Sequence, residues 1–444
     1  MSGEKVGLPE SVSMALGGMV GGGIFAVLGV VAGAASTLSW FAFIVAGVIA
    51  GCAGYSFVRL NDLTPPQTGP ITYVETFTGR PTLAGMTGWT FIFGYIGTMA
   101  MYAYAFGGYF AELVGVHTVA GLPMRPVVSV IVVAVFVGLN VAGAHAAGRT
   151  EDLLVGLKVI ILLGFGVGGL WYGYTHGQLH SGLASFGAGP LVAAAISFVA
   201  FEGWELLLFD QESIEDPGRT VRLAIYSSIV IATGLYVLVA VVTTNLVSAQ
   251  VIQQHAETAL AIAAKPFMGQ AGFVLISLAA LFSTGSAINA TLFSAARLSR
   301  HLATEDFLPK AISRSGGEPV RALLVLGAIT AVFTFFGSLD GITSFASLAF
   351  ILIFGFVSVL AFRERESAVT AAIPALGAVG AVATVVALVW HLATNEPSVF
   401  ETVVVIAVAV VAVELLYFER QPLVEEVERV ENELGGSRSG DGRN

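Results

Sequence analysis

From Ser11 to Val58 the chain carries no Asp, Glu, Lys or Arg. Nearly fifty residues without a charge cannot form any surface that faces water, and comparable apolar runs recur up to residue 418 with only short polar gaps between them. The whole sequence is 56% hydrophobic and 11% charged, against about 25% charged in soluble proteins. The chain is therefore a polytopic membrane protein, all α-helical because a lone helix satisfies its own backbone in lipid.

A spanning helix needs about 20 mostly apolar residues. On that rule twelve spans are expected near 11–34, 37–60, 83–113, 126–146, 152–173, 190–210, 221–248, 270–298, 319–337, 342–362, 369–391 and 398–418. The third and eighth are long and should tilt or project. Of the 20 Lys and Arg residues, seventeen fall on the N-terminal side of this layout, Arg125 and Lys265 on the other side, and Lys158 inside a span. The positive-inside rule then places both termini in the cytoplasm and the chain in the cell membrane. The segment 253–269 is too short and polar to span and should be an amphipathic helix on the outer side. Residues 1–10 read as a cytoplasmic N-terminus without a removable signal peptide, and 419–444 as a charged tail that starts helical and frays. Cys52 is the only cysteine, which excludes an internal disulfide and a cysteine metal site; no metal site is expected.

The first span contains LGGMVGGGIF, residues 16–25, half of it glycine. Each glycine in a helix costs roughly 0.5–1 kcal/mol relative to alanine, so the run predicts an unwound segment, tolerated in a membrane only where it is buried in protein or lines a cavity. Such a break through Gly21 would leave free N–H groups at Gly22, Gly23 and Ile24 for a carboxylate, and free carbonyls near Met19 for a cation. The alternative is close helix packing through small residues. A second break is expected in the sixth span, SFVAFEGWELLLFDQ (197–211), at Gly203, beside Glu202 and Glu205. Charged residues inside a membrane usually face a cavity or a partner. Asp210 reads as a helix cap or a partner for loop arginines. Broken spans one and six, five apart, fit two inverted repeats, 11–173 and 190–362, with 369–418 as two extra spans.

Lys158 lies among apolar helical neighbours. It either snorkels or reaches the first-span carbonyls near Gly17, Gly18 and Met19 and the hydroxyls of Ser283, Thr284 or Ser286.

GGMVGGGIF, FEGWE and ESIEDPGRTVRLAI resemble the amino acid–polyamine–organocation (APC) superfamily. ETALAIAAKPFMGQAGFVLISLAALFSTGSAINATLF, together with Lys158, is most similar to archaeal proton-coupled amino acid transporters of the ApcT type. The resemblance implies a LeuT-like fold with helices one and six unwound at the substrate, and amino acids as substrates. It also implies that Lys158 stands in place of a sodium ion, bonded to the first-span backbone near Met19 and to Ser283. The departure is Glu202 and Glu205, acids that the archaeal type lacks beside its central glycine.

The expectation is a proton-coupled amino acid symporter, with the proton as coupling ion and no other cofactor. Its substrate would be held by Met19, Gly21, Gly22, Gly23, Ile24, Phe198, Phe201, Gly203, Trp204 and Tyr102, and its proton handled by Lys158, Ser283, Glu205 and Glu202. Phe201 and Trp204 would cover the substrate, or simply pack. An exchanger without net proton flow, including one for cationic amino acids or polyamines, and a non-transporting amino-acid sensor are the rival readings. An enzyme, a nucleic-acid partner and an obligate protein partner are not expected.

Overall fold

In the computed structural model the described residues are 5–64, 69–143, 148–183, 187–209, 211–309 and 319–438; of 148–152, 369 and 418–438 only the backbone course is described. Asp210 lies outside the described residues. Helices account for nearly all of the structure: α1 (Leu8–Ala35), α2 (Ser39–Leu63), α3 (Pro70–Thr78), α4 (Pro81–Val114), α5 (Met124–Val141) and α6 (Gly148–Thr175). The sixth expected span is α7 (Gly189–Ser197), a 3-10 turn Phe198–Phe201, and α8 (Leu206–Phe209). Then follow α9 (Pro217–Leu246), α10 (Ala249–Gln254), α11 (Ala259–Thr304), α12 (Val320–Phe336), α13 (Leu339–Arg363), α14 (Ala368–Asn395) and α15 (Pro397–Arg438). One two-stranded hairpin pairs β1 (Thr118–Val119) with β2 (Leu122–Pro123) between α4 and α5.

Among the described residues, nine stretches are long and apolar enough to cross a bilayer. One of these, Leu8–Leu63, holds both α1 and α2, which are separated by the 3-10 turn Ser36–Leu38. The 34-residue α4 is not among the nine, because glycine, threonine and tyrosine dilute its hydropathy; α12, with 17 residues, is a shorter apolar helix. The expected outer amphipathic segment folds as α10, a 3-10 turn Ala256–Thr258 and the first part of α11, which ends at a hinge where Gly269 has φ 64°.

Burial sorts the helices into a centre and a shell. The most apolar window of Leu8–Leu63 is 94% buried, that of Pro397–Tyr417 only 11%. α1 is the central element and packs on α2, α4, α6, α7, α9 and α11. Between membrane helices water expulsion drives little, so dense packing through small residues must supply the attraction. The glycines of α1 provide it.

The expected unwinding of the first span is not found. α1 is helical from Leu8 to Ala35, and none of its glycines has a positive φ. The physical reason is contact. A Cβ on Gly18 would lie 2.7 Å from Cα of Gly203, one on Gly21 2.8 Å from Cβ of Ala287, and one on Gly23 2.8 Å from Cα of Ala200. A Cβ on Gly22 would run into the Tyr102 ring, and one on Gly29 into the backbone of Ala256. The glycines let other elements touch the helix backbone; they do not dissolve it.

Candidate functional site

The sixth span is broken where expected. After the 3-10 turn, Glu202 is extended (φ −76°, ψ 148°) and Gly203 has φ +123°, a backbone conformation open in practice only to glycine. Gly203 is pressed on Gly18, so the break meets α1 backbone to backbone. Its freed polar groups are taken up by neighbours. The Glu205 carboxylate accepts the Gly203 N–H at 2.8 Å. The Tyr236 hydroxyl donates to the Ala200 carbonyl at 2.7 Å. Ser347 of α13 donates to the Ile196 carbonyl at 2.7 Å and accepts the Val199 N–H at 3.1 Å.

Both acids are buried, Glu202 at 1% exposure and Glu205 at 0%. Each is held by a tyrosine of α4. Tyr102 donates to Oε2 of Glu202 and Tyr95 to Oε1 of Glu205, both at 3.3 Å. One heptad further on, Tyr109 donates to the Phe25 carbonyl of α1 at 3.3 Å. Tyr95, Tyr102 and Tyr109 are spaced by seven and fully buried, so one face of α4 presents three phenols, two to the break and one to α1. Oε1 of Glu202 and Nε1 of Trp204 are buried without a hydrogen-bond partner among the described residues.

Lys158 and Ser283 approach α1 from two other helices. The Lys158 ammonium, 4% exposed, donates to the Gly17 carbonyl at 3.5 Å. The Ser283 hydroxyl donates to the Val20 carbonyl at 3.0 Å. Snorkelling is thus not what Lys158 does. The carbonyls it and Ser283 use flank the expected Met19 and belong to a wound helix, so each is shared with an intrahelical bond. For the same reason the N–H groups of Gly22, Gly23 and Ile24 are taken by carbonyls four residues back and are not free for a carboxylate. That expectation, and the one for a freed carbonyl at Met19, are corrected here.

The aromatic residues of the break are packed. Phe198 meets Phe354 edge-on with ring centroids 5.5 Å apart, and Phe201 meets Tyr236 at 5.2 Å. Trp204 lies between Phe57 at 5.2 Å and Phe354 at 5.0 Å. Met19 and Ile24 are fully buried in the same core. Among the expected site residues only Gly203 lines the adjoining cavity. That space, about 600 Å³, reaches from Met14, Gly18 and Gly203 past the Asn140–Asn289 pair to Glu212, Arg297 and His301. The amide of Asn140 donates to Asn289 at 2.7 Å and so ties α5 to α11 along its wall.

Tyr95, Tyr236 and Ser347 are site residues that a residue-by-residue reading of the sequence misses. The heptad repeat of tyrosines in α4 is the signal that could have found the first. Nothing local marks Tyr236 or Ser347, which matter only because the break lies against them.

Among the described residues the break, its two buried carboxyl groups and the adjoining cavity lie together at the centre of a bundle of apolar helices, and comparison with known proteins shows that bundle to be a membrane transporter rather than an enzyme. The chain belongs to the amino acid permease family, which it matches over residues 6–413, within the APC superfamily. It is 32% identical over 359 residues to an uncharacterized protein of Methanocaldococcus jannaschii, covering 80% of this chain and 81% of that one. It is 29% identical over 384 residues to the inner membrane transport protein YbaT of Escherichia coli, covering 84% and 86%. It is 25% identical over 324 residues to the serine/threonine exchanger SteT of Bacillus subtilis, covering 71% and 72%.

Proposed function

We propose that the chain is a twelve-span secondary transporter of the cell membrane, with both termini cytoplasmic, that carries an amino acid together with a proton by alternating access. Twelve spans follow when α1 and α2 are counted separately and α4 and α12 are included. The two inverted repeats are 11–173 and 190–362, with the break kept only in the second. The observation that carries the reading is the junction at Gly18 and Gly203, where a broken backbone, two buried glutamates and the end of a cavity come together.

In this reading the substrate enters from the cavity and parts Gly203 from Gly18. Its ammonium is met by Oε1 of Glu202, which has no partner in the closed site, and by the carbonyls of the Phe198–Phe201 turn. Phe201 and Trp204 form its cover, and Tyr102 swings from Gly22 to admit it. Lys158 and Ser283 hold α1 through the carbonyls of Gly17 and Val20. Loss of the Lys158 proton releases one of these two ties and lets α1 tilt. Glu205, fixed by Gly203 and Tyr95, is the second carrier to test.

The test is uptake of a panel of labelled amino acids by reconstituted protein, with and without Na⁺, across imposed pH differences. Proton-driven accumulation that is lost in Lys158→Ala supports the reading. Accumulation that survives in Lys158→Ala and is lost in Glu205→Gln moves the proton to the carboxylate. Substrate exchange is the second reading, favoured by the likeness to the serine/threonine exchanger of Bacillus subtilis. Counterflow at zero pH gradient with no net uptake under a gradient selects it.

A further inference from the structure

A second hollow, of about 360 Å³, lies at the other end of α1 from the cavity at the break. That cavity is lined by Met14 and Gly18 of the helix, this one by Gly29, Gly33 and Ala34. Met14 and Gly33 are nineteen residues apart in one helix, about 28 Å. The two spaces therefore lie towards opposite faces of the bundle. The second one also reaches the broken span, because Ile196, whose carbonyl Ser347 holds, is part of its wall.

The charge of this hollow is one-sided. Asp340 near the start of α13 and Glu396 just past α14 line it, close enough to repel one another, with His391 as the third titratable group. His391 lies 3.7 Å from Glu396 and, when charged, balances that acid alone. Asp340 has no ion pair among the described residues, and its carboxylate is met by its own backbone N–H. The two basic residues that the span layout puts on this face are engaged elsewhere. Arg125 lies over the Tyr104 ring at 3.6 Å and donates to the Thr334 carbonyl, and Lys265 lies over Phe273. An acid at a helix start can answer to the helix dipole alone, but a second group here points to a ligand. Ser344, one turn along α13, lines the same hollow, is 1% exposed, and makes no hydrogen bond among the described residues. A buried hydroxyl left without a partner is unfavourable. Asp340, Ser344 and Ser347 follow one another at i, i+4 and i+7 on one face of α13. That face leads from an unpaired carboxylate, past an unpartnered hydroxyl, to the serine that holds the broken span.

We propose that this hollow receives the ammonium group of an amino acid between Asp340 and Ser344 before the break opens to that face. The proposal rests on the reading of the chain as an amino acid carrier: alternating access needs an approach from each face, and the cavity at Gly203 supplies one of them. A carboxylate and a hydroxyl oxygen suit an ammonium, which has three donors and no acceptor. A metal ion needs more ligands, and among the described residues no three His, Cys, Asp or Glu are grouped to hold one. Two carboxylates against at most one cation repel a further carboxylate, so cationic and zwitterionic amino acids are admitted ahead of acidic ones.

Full-length protein carrying Cys52→Ala and Asn395→Cys has one thiol, at the wall of this hollow, and tests the proposal in detergent without transport. Its rate with cationic trimethylammonium-ethyl methanethiosulfonate is measured against its rate with the anionic sulfonatoethyl reagent. That ratio should exceed the ratio for free mercaptoethanol on the order of tenfold, as an electrostatically focused site requires. Asp340→Asn should return it towards the free thiol. Lysine and methylammonium should slow labelling by uncharged N-ethylmaleimide, glutarate and sodium should not, and Ser344→Ala should weaken the protection by lysine. A ratio equal to that of mercaptoethanol overturns the proposal, as does a ratio unchanged by Asp340→Asn or protection by sodium equal to that by methylammonium. Should either added substitution fail to fold, the ratio and the protection in the single-thiol protein decide. Protection by lysine in a protein that takes up no amino acid sinks the carrier reading and leaves this site standing; uptake without protection does the reverse.

Discussion

Two glycine-marked stretches face each other at the centre of the molecule, and they behave oppositely. LGGMVGGGIF in the first span has five glycines in ten residues and stays wound. FEGWE in the sixth has one and breaks. Glycine density is therefore a poor guide to unwinding. The first stretch is surrounded by backbone and rings at contact distance, and its helical hydrogen bonds are retained. The second has a carboxylate two residues away that accepts the N–H the break frees, and a tyrosine and a serine from other helices that take up further groups. A helix opens where substitute partners wait, not where its residues are merely permissive.

The sharpest way to break this comparison is Gly203→Ala. The added methyl meets the Gly18 backbone, which has no side chain to move aside, and φ +123° is strained for alanine; each penalty is about 1–3 kcal/mol. The unfolding midpoint should fall steeply and uptake should vanish. Gly22→Ala should cost less, about 1–3 kcal/mol, because the atom it strikes belongs to the Tyr102 ring. The same loss should shrink in Gly22→Ala with Tyr102→Ala. A more stable Gly22→Ala would mean that the glycines serve an opened helix after all. Glu205→Gln keeps the shape but gives up a charge-assisted bond to the break, worth about 1.5–3 kcal/mol against about 1 for a neutral one; a modest midpoint drop and a flattened pH response of uptake are expected. Tyr102→Phe removes one hydroxyl contact, on the order of 0.6 kcal/mol inside a membrane. It should barely move the midpoint yet alter the substrate concentration for half-maximal uptake.

Much of this was legible beforehand. Apolar run length gave the helices, and the outer segment ending near Gly269 was visible from its polar spacing. Gly203 with its flanking acids announced the second break. Lys158 and Ser283 meet the first span as the sequence suggests, at the carbonyls of Gly17 and Val20, two residues before and one after Met19. What stayed hidden depends on partners far along the chain. Whether Gly22 unwinds or packs is decided by Tyr102 of α4, and no local pattern states that. Tyr236 and Ser347 likewise acquire their roles only from where the 3-10 turn comes to rest. The rings of Phe201 and Trp204 read equally as cover or as core, and in this packing they are core.

Before α1 begins, Val6 forms a short parallel bridge with Ile214, its N–H bonded to the Ser213 carbonyl and its own carbonyl accepting from Glu215, both at 2.9 Å. The root of the first helix is thereby stitched to the strand of chain leaving the broken one. A tilt of α1 that parts Gly203 from Gly18 must therefore either turn about these two bonds or stretch them. Anything fused close ahead of Val6 would weigh on that stitch.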